Sequence, residues 1–230
     1  MHDAILPQAG APWRDAATQC NNGAMKLFYT PLKNYVHKVQ VVAIETGVYD
    51  RLERIATDPY TRQVEHVLAN PLSKVPTLIL DDGSALYGGP AIYEYFDSLH
   101  DGAKLFPATG PARWTALRQL ALGDAMFDTF VLRQNELKRP REFVYPAALE
   151  NYMATVARAL DALESEAPAF EGFTIGLISI ACGLMYLTKI RDRDGMDLDW
   201  RDERPDLSAW YDRFTDRPSF VPRDNAIALR

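Results

Sequence analysis

The chain has few of the residues that mark metal, disulfide or nucleic-acid-binding proteins. It contains two cysteines and four histidines, and Cys20 and Cys182 have neither paired nor metal-ligand spacing. Lys and Arg number 25 against 31 Asp and Glu, so the basic excess that binds phosphate backbones is absent. We therefore expect no metal, no nucleic-acid partner and a reducing, cytoplasmic location.

Long apolar runs are also missing. The longest, residues 173–187, is shorter than the roughly 18 residues that cross a bilayer and is interrupted by two glycines. It predicts a buried helix, and we expect no membrane partner. Residues 1–24 show neither a signal-peptide pattern nor a helical or strand period, so they are predicted to be a flexible extension.

What the chain does have is a 47% hydrophobic content, enough for a core. Residues 26–30 and 49–56 are predicted strands. Between them a helical period starts at Tyr35 and stops at Gly47, and a short polar helix is predicted over 61–69. This order indicates a βαβ unit.

A hairpin and a helix are predicted next. Strand-like residues 77–80 and 85–87 flank the turn signature Asp81-Asp82-Gly83. Apolar side chains then share one helical face: Ile92, Tyr95, Phe96 and Leu99. The elements predict a mixed four-stranded sheet with packed helices, a thioredoxin-like α/β domain over residues 25–102.

The second half of the chain has helical spacing throughout. Residues 103–110 are rich in Gly, Pro and Ala and predict a linker, and an all-helical domain is expected over 111–222 with a tail at 223–230. Its core helix is predicted over 173–190, where nearly every side is apolar. His37 and His66, in the first domain, are placed on polar faces.

The segment Asn70-Pro71-Leu72-Ser73-Lys74-Val75-Pro76 is the most informative one. A proline at the start of a strand is normally excluded unless it serves an edge or a turn. Two readings remain: a loop proline, or a cis Val75–Pro76 bond that offers the Val75 backbone to an extended peptide.

Together with the runs KLFYTP, VHKVQVVAIETG, ALYGGPAIYEYFD, LFP and RPSF, this segment resembles the glutathione transferase superfamily over about residues 25–222. The bacterial cytosolic members are the most similar. The resemblance implies a glutathione S-transferase that uses glutathione as co-substrate, without a metal, and transfers its thiol to a small hydrophobic electrophile. It also implies a homodimer.

The resemblance assigns the glutathione-binding residues. Val75 and Pro76 inherit the pairing with the cysteinyl unit, and Lys74 is a neighbouring cation. Gly88 and Gly89 stand where the family has an acidic residue and a serine that hold the γ-glutamyl end. Because both side chains are lost here, weak affinity is expected, and restoring them as Gly88→Glu and Gly89→Ser is expected to tighten binding.

The catalytic position departs from the family pattern of Ser, Cys or Tyr. Lys33 takes the usual Ser or Cys place, Asn34 follows it, and Tyr29 and Thr30 lie at the end of the first strand. A lysine charge, an amide hydrogen bond or a hydroxyl can each stabilise a thiolate, so all four remain candidates.

A different reading is a non-catalytic interaction protein that kept the fold while its glutathione site decayed. The Gly88-Gly89 pair and the missing Ser or Cys favour it. In the helical domain, Leu177 also replaces the aspartate of the family's capping box, although Thr174 is still expected to cap its helix.

Overall fold

The computed structural model describes residues 25–30, 34–57, 64–194 and 198–221, with residues 34–36 and 193–194 through their backbone only. The predicted extension at 1–24, the tail at 223–230 and Lys33 lie outside these residues. The chain divides into two compact units. The described residues up to Lys104 and Val221 form the first, and Leu105–Phe220 the second.

The first unit is a mixed four-stranded sheet with helices, which confirms the predicted thioredoxin-like plan. The strand order is β2-β1-β3-β4, with β1 and β2 parallel and the other pairs antiparallel. The elements in chain order are β1 (Met25–Tyr29), α1 (Asn34–Glu45), β2 (Leu52–Ala56), α2 (Val64–Ala69), β3 (Thr77–Ile79), β4 (Ala85–Tyr87) and α3 (Gly89–Ser98).

Burial explains why β1 lies inside the sheet. Leu27, Phe28 and Tyr29 are all at most 9% exposed, so both faces of β1 are covered and its run of apolar residues is continuous rather than alternating. The second strand is shorter than predicted. Residues 49–51 form a 3₁₀ turn, and β2 starts at Leu52.

Helix α3 differs from its predicted apolar face at Leu99, which follows its last residue and is half-buried, and at Tyr95. Ile92 and Phe96 are fully buried as expected, but the third large buried side chain is Tyr93, and Tyr95 is only partly covered. Burial raises the pKa of Tyr95. Tyr93 thus takes the core position that the sequence pattern gave to Tyr95.

The second unit is helical, as predicted. Its long helices are α4 (Gly110–Leu137), α5 (Pro146–Glu166), α6 (Ile175–Asp194) and α7 (Pro205–Thr215). Helix α6 is the core helix, with Ile178, Cys182 and Leu187 at 0% exposure. Trp114 shares the apolar spacing of α4 but is 68% exposed, whereas the buried face of the helix includes Leu120 and Phe127.

Small residues let α4 and α6 pack backbone to backbone. A Cβ added to Gly123 would lie 2.5 Å from Ser179 Oγ, and one added to Gly176 would lie 2.5 Å from a backbone oxygen of α4. Gly183 has more room, with its nearest neighbour at 3.4 Å. Ser179 Oγ donates to the Leu120 carbonyl at 3.1 Å.

The start of α6 keeps its expected cap. The amide of Leu177 donates to Thr174 Oγ1 at 3.4 Å, so Thr174 satisfies one first-turn donor without the aspartate of a full capping box. Over the described ranges, none of the helices combines the length and apolar character needed to span a membrane.

Candidate functional site

The strand register brings the candidate residues to one end of the sheet. Phe28 of β1 pairs with Thr77 of β3, and Thr77 pairs with Tyr87 of β4. The residues after Phe28, before Thr77 and after Tyr87 therefore meet at the same sheet end. These residues are Tyr29, Thr30, Val75, Pro76, Gly88 and Gly89.

The Val75–Pro76 bond is cis, which decides between the two readings of this proline, and Pro76 is buried. Strand β3 begins only at Thr77, so Val75 and Pro76 lie outside the ladder. The backbone of Val75 thus stands at the start of a strand without being part of its regular pairing. The Lys74 side chain beside it is exposed.

Three side chains donate to the carbonyl of Lys74, the residue just before this bond. Thr77 Oγ1 lies 2.7 Å from the Lys74 oxygen, and Asn70 Nδ2 and His66 Nε2 each lie 3.1 Å from it. Asn70 Nδ2 also donates to Thr77 Oγ1 at 2.9 Å. We call His66, Asn70 and Thr77 the carbonyl clamp. It fixes the peptide that leads into Val75 by side chains that are at most 1% exposed.

His66 is a correction to the sequence interpretation, which placed it on a polar face. It is 0% exposed, and its ring stacks on Phe28 with centroids 5.2 Å apart. Because a carbonyl only accepts, His66 Nε2 carries the hydrogen in this arrangement. The pattern missed it because α2 has six residues, too few to show a buried face.

The rest of the loop is also held by Asn70 and by one unusual backbone angle. Asn70 Oδ1 accepts from the Leu72 amide at 3.0 Å, and the Asn70 carbonyl accepts from Ser73 at 2.8 Å. Ser73 has φ +50°, a left-handed conformation that favours glycine. The loop before Val75 is therefore a built turn, tied to itself and to α2.

Gly88 and Gly89 start α3 without a side-chain cap. Gly88 is the N-cap residue with φ +88°, and it makes no side-chain hydrogen bond to the first-turn amides. Pro90 has no amide hydrogen, so Gly89 and Ala91 supply the free amides at this helix end. Such amides, aligned with the helix dipole, favour a carboxylate.

Tyr93 fills the space beside Gly89. A Cβ on Gly89 would lie 2.5 Å from Tyr93 Oη and 2.8 Å from Cζ, and Tyr93 is fully buried. Lys38, also fully buried, has its Nζ 5.9 Å from the centre of the Tyr93 ring. A side chain at position 89 therefore requires Tyr93 to move.

The candidate catalytic residues differ in how available they are. Thr30 Oγ1 donates to the Thr57 carbonyl at 2.6 Å. Tyr29 is 9% exposed and lines a small cavity together with Val39. Asn34 is the first residue of α1, but its side chain, like Lys33, is outside the described residues. The described residues contain no cluster of three potential metal ligands.

Comparison with known proteins agrees with this architecture. Residues 34–99 match the N-terminal domain of glutathione S-transferases, and residues 146–213 match the C-terminal domain. A glutathione transferase family member from Pseudomonas fluorescens Pf-5 is 37% identical and covers 86% of this chain and 97% of its own, with a TM-score of 0.77. The chain belongs to the glutathione transferase superfamily.

Several related structures of superfamily members contain ligands. The Pseudomonas structure has bound glutathione, and a second one, 38% identical over 86% of this chain and 96% of its own with a TM-score of 0.77, has bound S-(propanoic acid)-glutathione. A glutathione S-transferase from Methylobacillus flagellatus, with glutathione bound, is 31% identical over 85% of this chain and 96% of its own, with a TM-score of 0.76. The uncharacterized GST-like protein YibF of Escherichia coli is 28% identical, over 86% of this chain and 96% of its own.

Proposed function

We propose that this superfamily member binds glutathione at the sheet end and transfers its thiol sulfur to a small hydrophobic electrophile. One observation carries the proposal: the clamped Val75–Pro76 segment lies outside the ladder, next to the uncapped first turn of α3. The Val75 backbone would pair with the cysteinyl unit, and the amides of Gly89 and Ala91 would bind the γ-glutamyl carboxylate. Lys74 adds a nearby cation.

The bound ligands of the relatives support this assignment. Two relatives more than 30% identical carry glutathione, and one structure carries glutathione whose sulfur bears a propanoic acid group. An S-substituted glutathione is what thiol transfer produces. The thiol loses its proton to water, the thiolate sulfur forms a bond to the electrophilic carbon, and a leaving group departs with its bonding electrons.

The group that stabilises the thiolate is one of four. The Thr30 hydroxyl is held by the Thr57 carbonyl and must leave it to serve a thiolate. Tyr29, Lys33 and Asn34 are the other candidates, acting through a hydroxyl, a charge or an amide hydrogen. Tyr29→Phe, Thr30→Val, Lys33→Met and Asn34→Ala each remove one of these groups. The variant that lowers kcat by about ten- to a hundredfold at unchanged glutathione KM identifies the catalytic residue.

The proposal is tested by calorimetric titration with glutathione, followed by an assay with a chloronitrobenzene electrophile. We expect saturable binding with a Kd near the millimolar range, because no side chain at 88 or 89 anchors the ligand. Turnover above the uncatalysed rate supports a transferase. Saturable binding without turnover of any electrophile in a panel contradicts the transfer step.

The second candidate is a non-catalytic interaction protein, favoured by the loss of both γ-glutamyl anchors and by Tyr93 occupying the space of a side chain at 89. Absence of any saturable heat up to about 10 mM glutathione supports it. We further propose a cytoplasmic homodimer. Light scattering of the purified chain measures the mass and tests the dimer, and a monomer at micromolar concentration contradicts it.

A further inference from the structure

The described residues of the proposed glutathione site carry no negative charge. The ends of β1, β3 and β4 and the first turn of α3 form this site, which comprises residues 29–30, 74–76 and 88–91. Among these residues the only charged side chain is that of Lys74, which is exposed. The first turn of α3 has no acidic residue. The described part of the site is therefore positively charged.

The neighbouring carboxylates lie away from this site. Glu94 is the first acidic residue of α3 and follows Gly89 by five positions, more than one helical turn and about 7.5 Å along the axis. Asp82 lies in the turn that joins β3 and β4, at the opposite end of these strands. Its carboxylate accepts from the Ser84 amide at 2.9 Å and from the Ser84 hydroxyl at 2.6 Å. Both acids thus begin a helical turn or a strand length from the site.

The charge of the site suits only one of the two groups at the γ-glutamyl end of glutathione. This end carries a carboxylate and an ammonium on the same carbon. The free amides of Gly89 and Ala91 and the positive end of the α3 dipole favour the carboxylate. The same dipole end and the Lys74 charge repel the ammonium, which also gives up part of its water on binding. A thiol ligand that keeps the carboxylate but lacks the ammonium avoids this cost.

We propose that the site is selective for acylated cysteine ligands whose acyl chain ends in a carboxylate without an adjacent ammonium. Such a ligand keeps the cysteinyl backbone that would pair with Val75. It also keeps the terminal carboxylate that the amides of Gly89 and Ala91 would bind. This selectivity rests on the proposed function, because it concerns the same sheet end. It makes glutathione the weaker ligand and a cysteine peptide capped by a diacid the better one.

The test compares glutathione with its deamino analogue, N-glutaryl-cysteinylglycine, which has a hydrogen in place of the ammonium. Both are titrated into the full chain, and the NMR shifts of the Val75, Gly89 and Ala91 amides follow binding at the site. The analogue should bind about two- to fivefold more tightly, the effect of one full charge near a helix N-terminus. Glutathione that binds equally well or more tightly overturns the selectivity.

Ala91→Glu tests the role of charge directly. Ala91 is exposed in the first turn of α3, and a glutamate at this position reaches back towards the N-cap residue Gly88. Its carboxylate should weaken the analogue more than glutathione and make glutathione the tighter ligand. Ala91→Gln is the matched control, since it has the same length without the charge and should keep the native order. An Ala91→Glu variant that is folded by circular dichroism and leaves the ratio of the two Kd values unchanged contradicts the proposal.

Glu94→Gln is a second control. It should leave the ratio of the two Kd values unchanged, because Glu94 lies beyond the first turn of α3. A ratio that moves further towards the analogue would show that Glu94 binds the ammonium, which overturns the account of the site as free of negative charge.

The outcomes separate this selectivity from the proposed function. Saturable binding of both ligands with glutathione the tighter one would keep glutathione as the thiol and overturn the selectivity. Binding of the analogue alone would support the selectivity and exclude glutathione as the co-substrate. If neither ligand shifts the three amides up to about 10 mM, both proposals fail.

Discussion

The contact between Gly89 and Tyr93 makes a quantitative prediction for Gly89→Ala. Alanine normally stabilises a helix over glycine by up to about 1 kcal/mol. Here its Cβ would lie 2.5 Å from Tyr93 Oη, 2.8 Å from Cζ and 3.0 Å from Cε2. Tyr93 is fully buried and cannot swing into solvent. Overpacking of this kind costs about 1–3 kcal/mol, so the variant should be about 1 kcal/mol less stable despite its better helix propensity.

A double-mutant cycle separates the contact from the propensity. With Tyr93→Val in the background, the obstructing ring atoms are gone, and Gly89→Ala should become stabilising by about 0.5 kcal/mol. Tyr93→Phe removes only the nearest atom, so it should relieve part of the cost. The assay is urea unfolding followed by circular dichroism, with the coupling free energy of Gly89 and Tyr93 expected near 1–2 kcal/mol.

The result also decides how an acidic residue at position 88 and a serine at position 89, which would hold the γ-glutamyl end of glutathione, can be restored. Gly88 has φ +88°, where a side chain costs about 1–2 kcal/mol, so Gly88→Glu and Gly89→Ser each meet an obstacle that the sequence did not show. We expect the pair to tighten glutathione binding only when Tyr93 is also reduced in size. If Gly89→Ala is equally tolerated with Tyr93 and with Tyr93→Val, the ring gives way freely and this reasoning is wrong.

Three further predictions concern packing and the loop before Val75. Gly176→Ala should lower the free energy of unfolding by about 2 kcal/mol, because the new Cβ would clash with the backbone of α4. Gly183→Ala in the same helix has more room and should be neutral or stabilising. Equal urea unfolding midpoints of the two variants would contradict this. Ser73→Gly should raise the free energy of unfolding by about 0.5 kcal/mol, because glycine adopts φ +50° without strain. Urea unfolding measures this change, and a lower free energy of unfolding in the variant would show that Ser73 is not strained. His66→Leu should speed amide exchange over residues 70–76. Thr46→Val, which removes the buried 2.8 Å hydrogen bond from the residue after α1 to the Val42 carbonyl, should not.

The fold was accessible from the sequence because its elements carry strong local signals. The Asp81-Asp82-Gly83 turn fixed the hairpin of β3 and β4, and the apolar sides of residues 173–190 indicated the central helix. Boundaries were less accurate. The start of β2 moved to Leu52 because Tyr49 and Arg51 joined a 3₁₀ turn, which strand propensity does not distinguish from an extended start.

The site was predictable where backbone chemistry shaped it and not where distant side chains did. Pro76 before a strand is a local signal that raised the cis bond as one of two readings, and the structure has the cis bond. The carbonyl clamp depends on His66 of α2, whose ring stacks on Phe28 of strand β1, a contact with no trace in the sequence around His66. The Gly89–Tyr93 contact did leave a trace, since residues four apart share a helical face.

The close packing of α4 against α6 has a consequence for the order in which the chain folds. Its central bond joins Leu120 to Ser179, 59 residues apart, with all of α5 between them. The helical unit therefore cannot complete its core as a local hairpin of α4 and α5. During synthesis, the buried face of α4 therefore stays uncovered by α6 until α6 has left the ribosome, and an apolar face exposed in that interval favours aggregation.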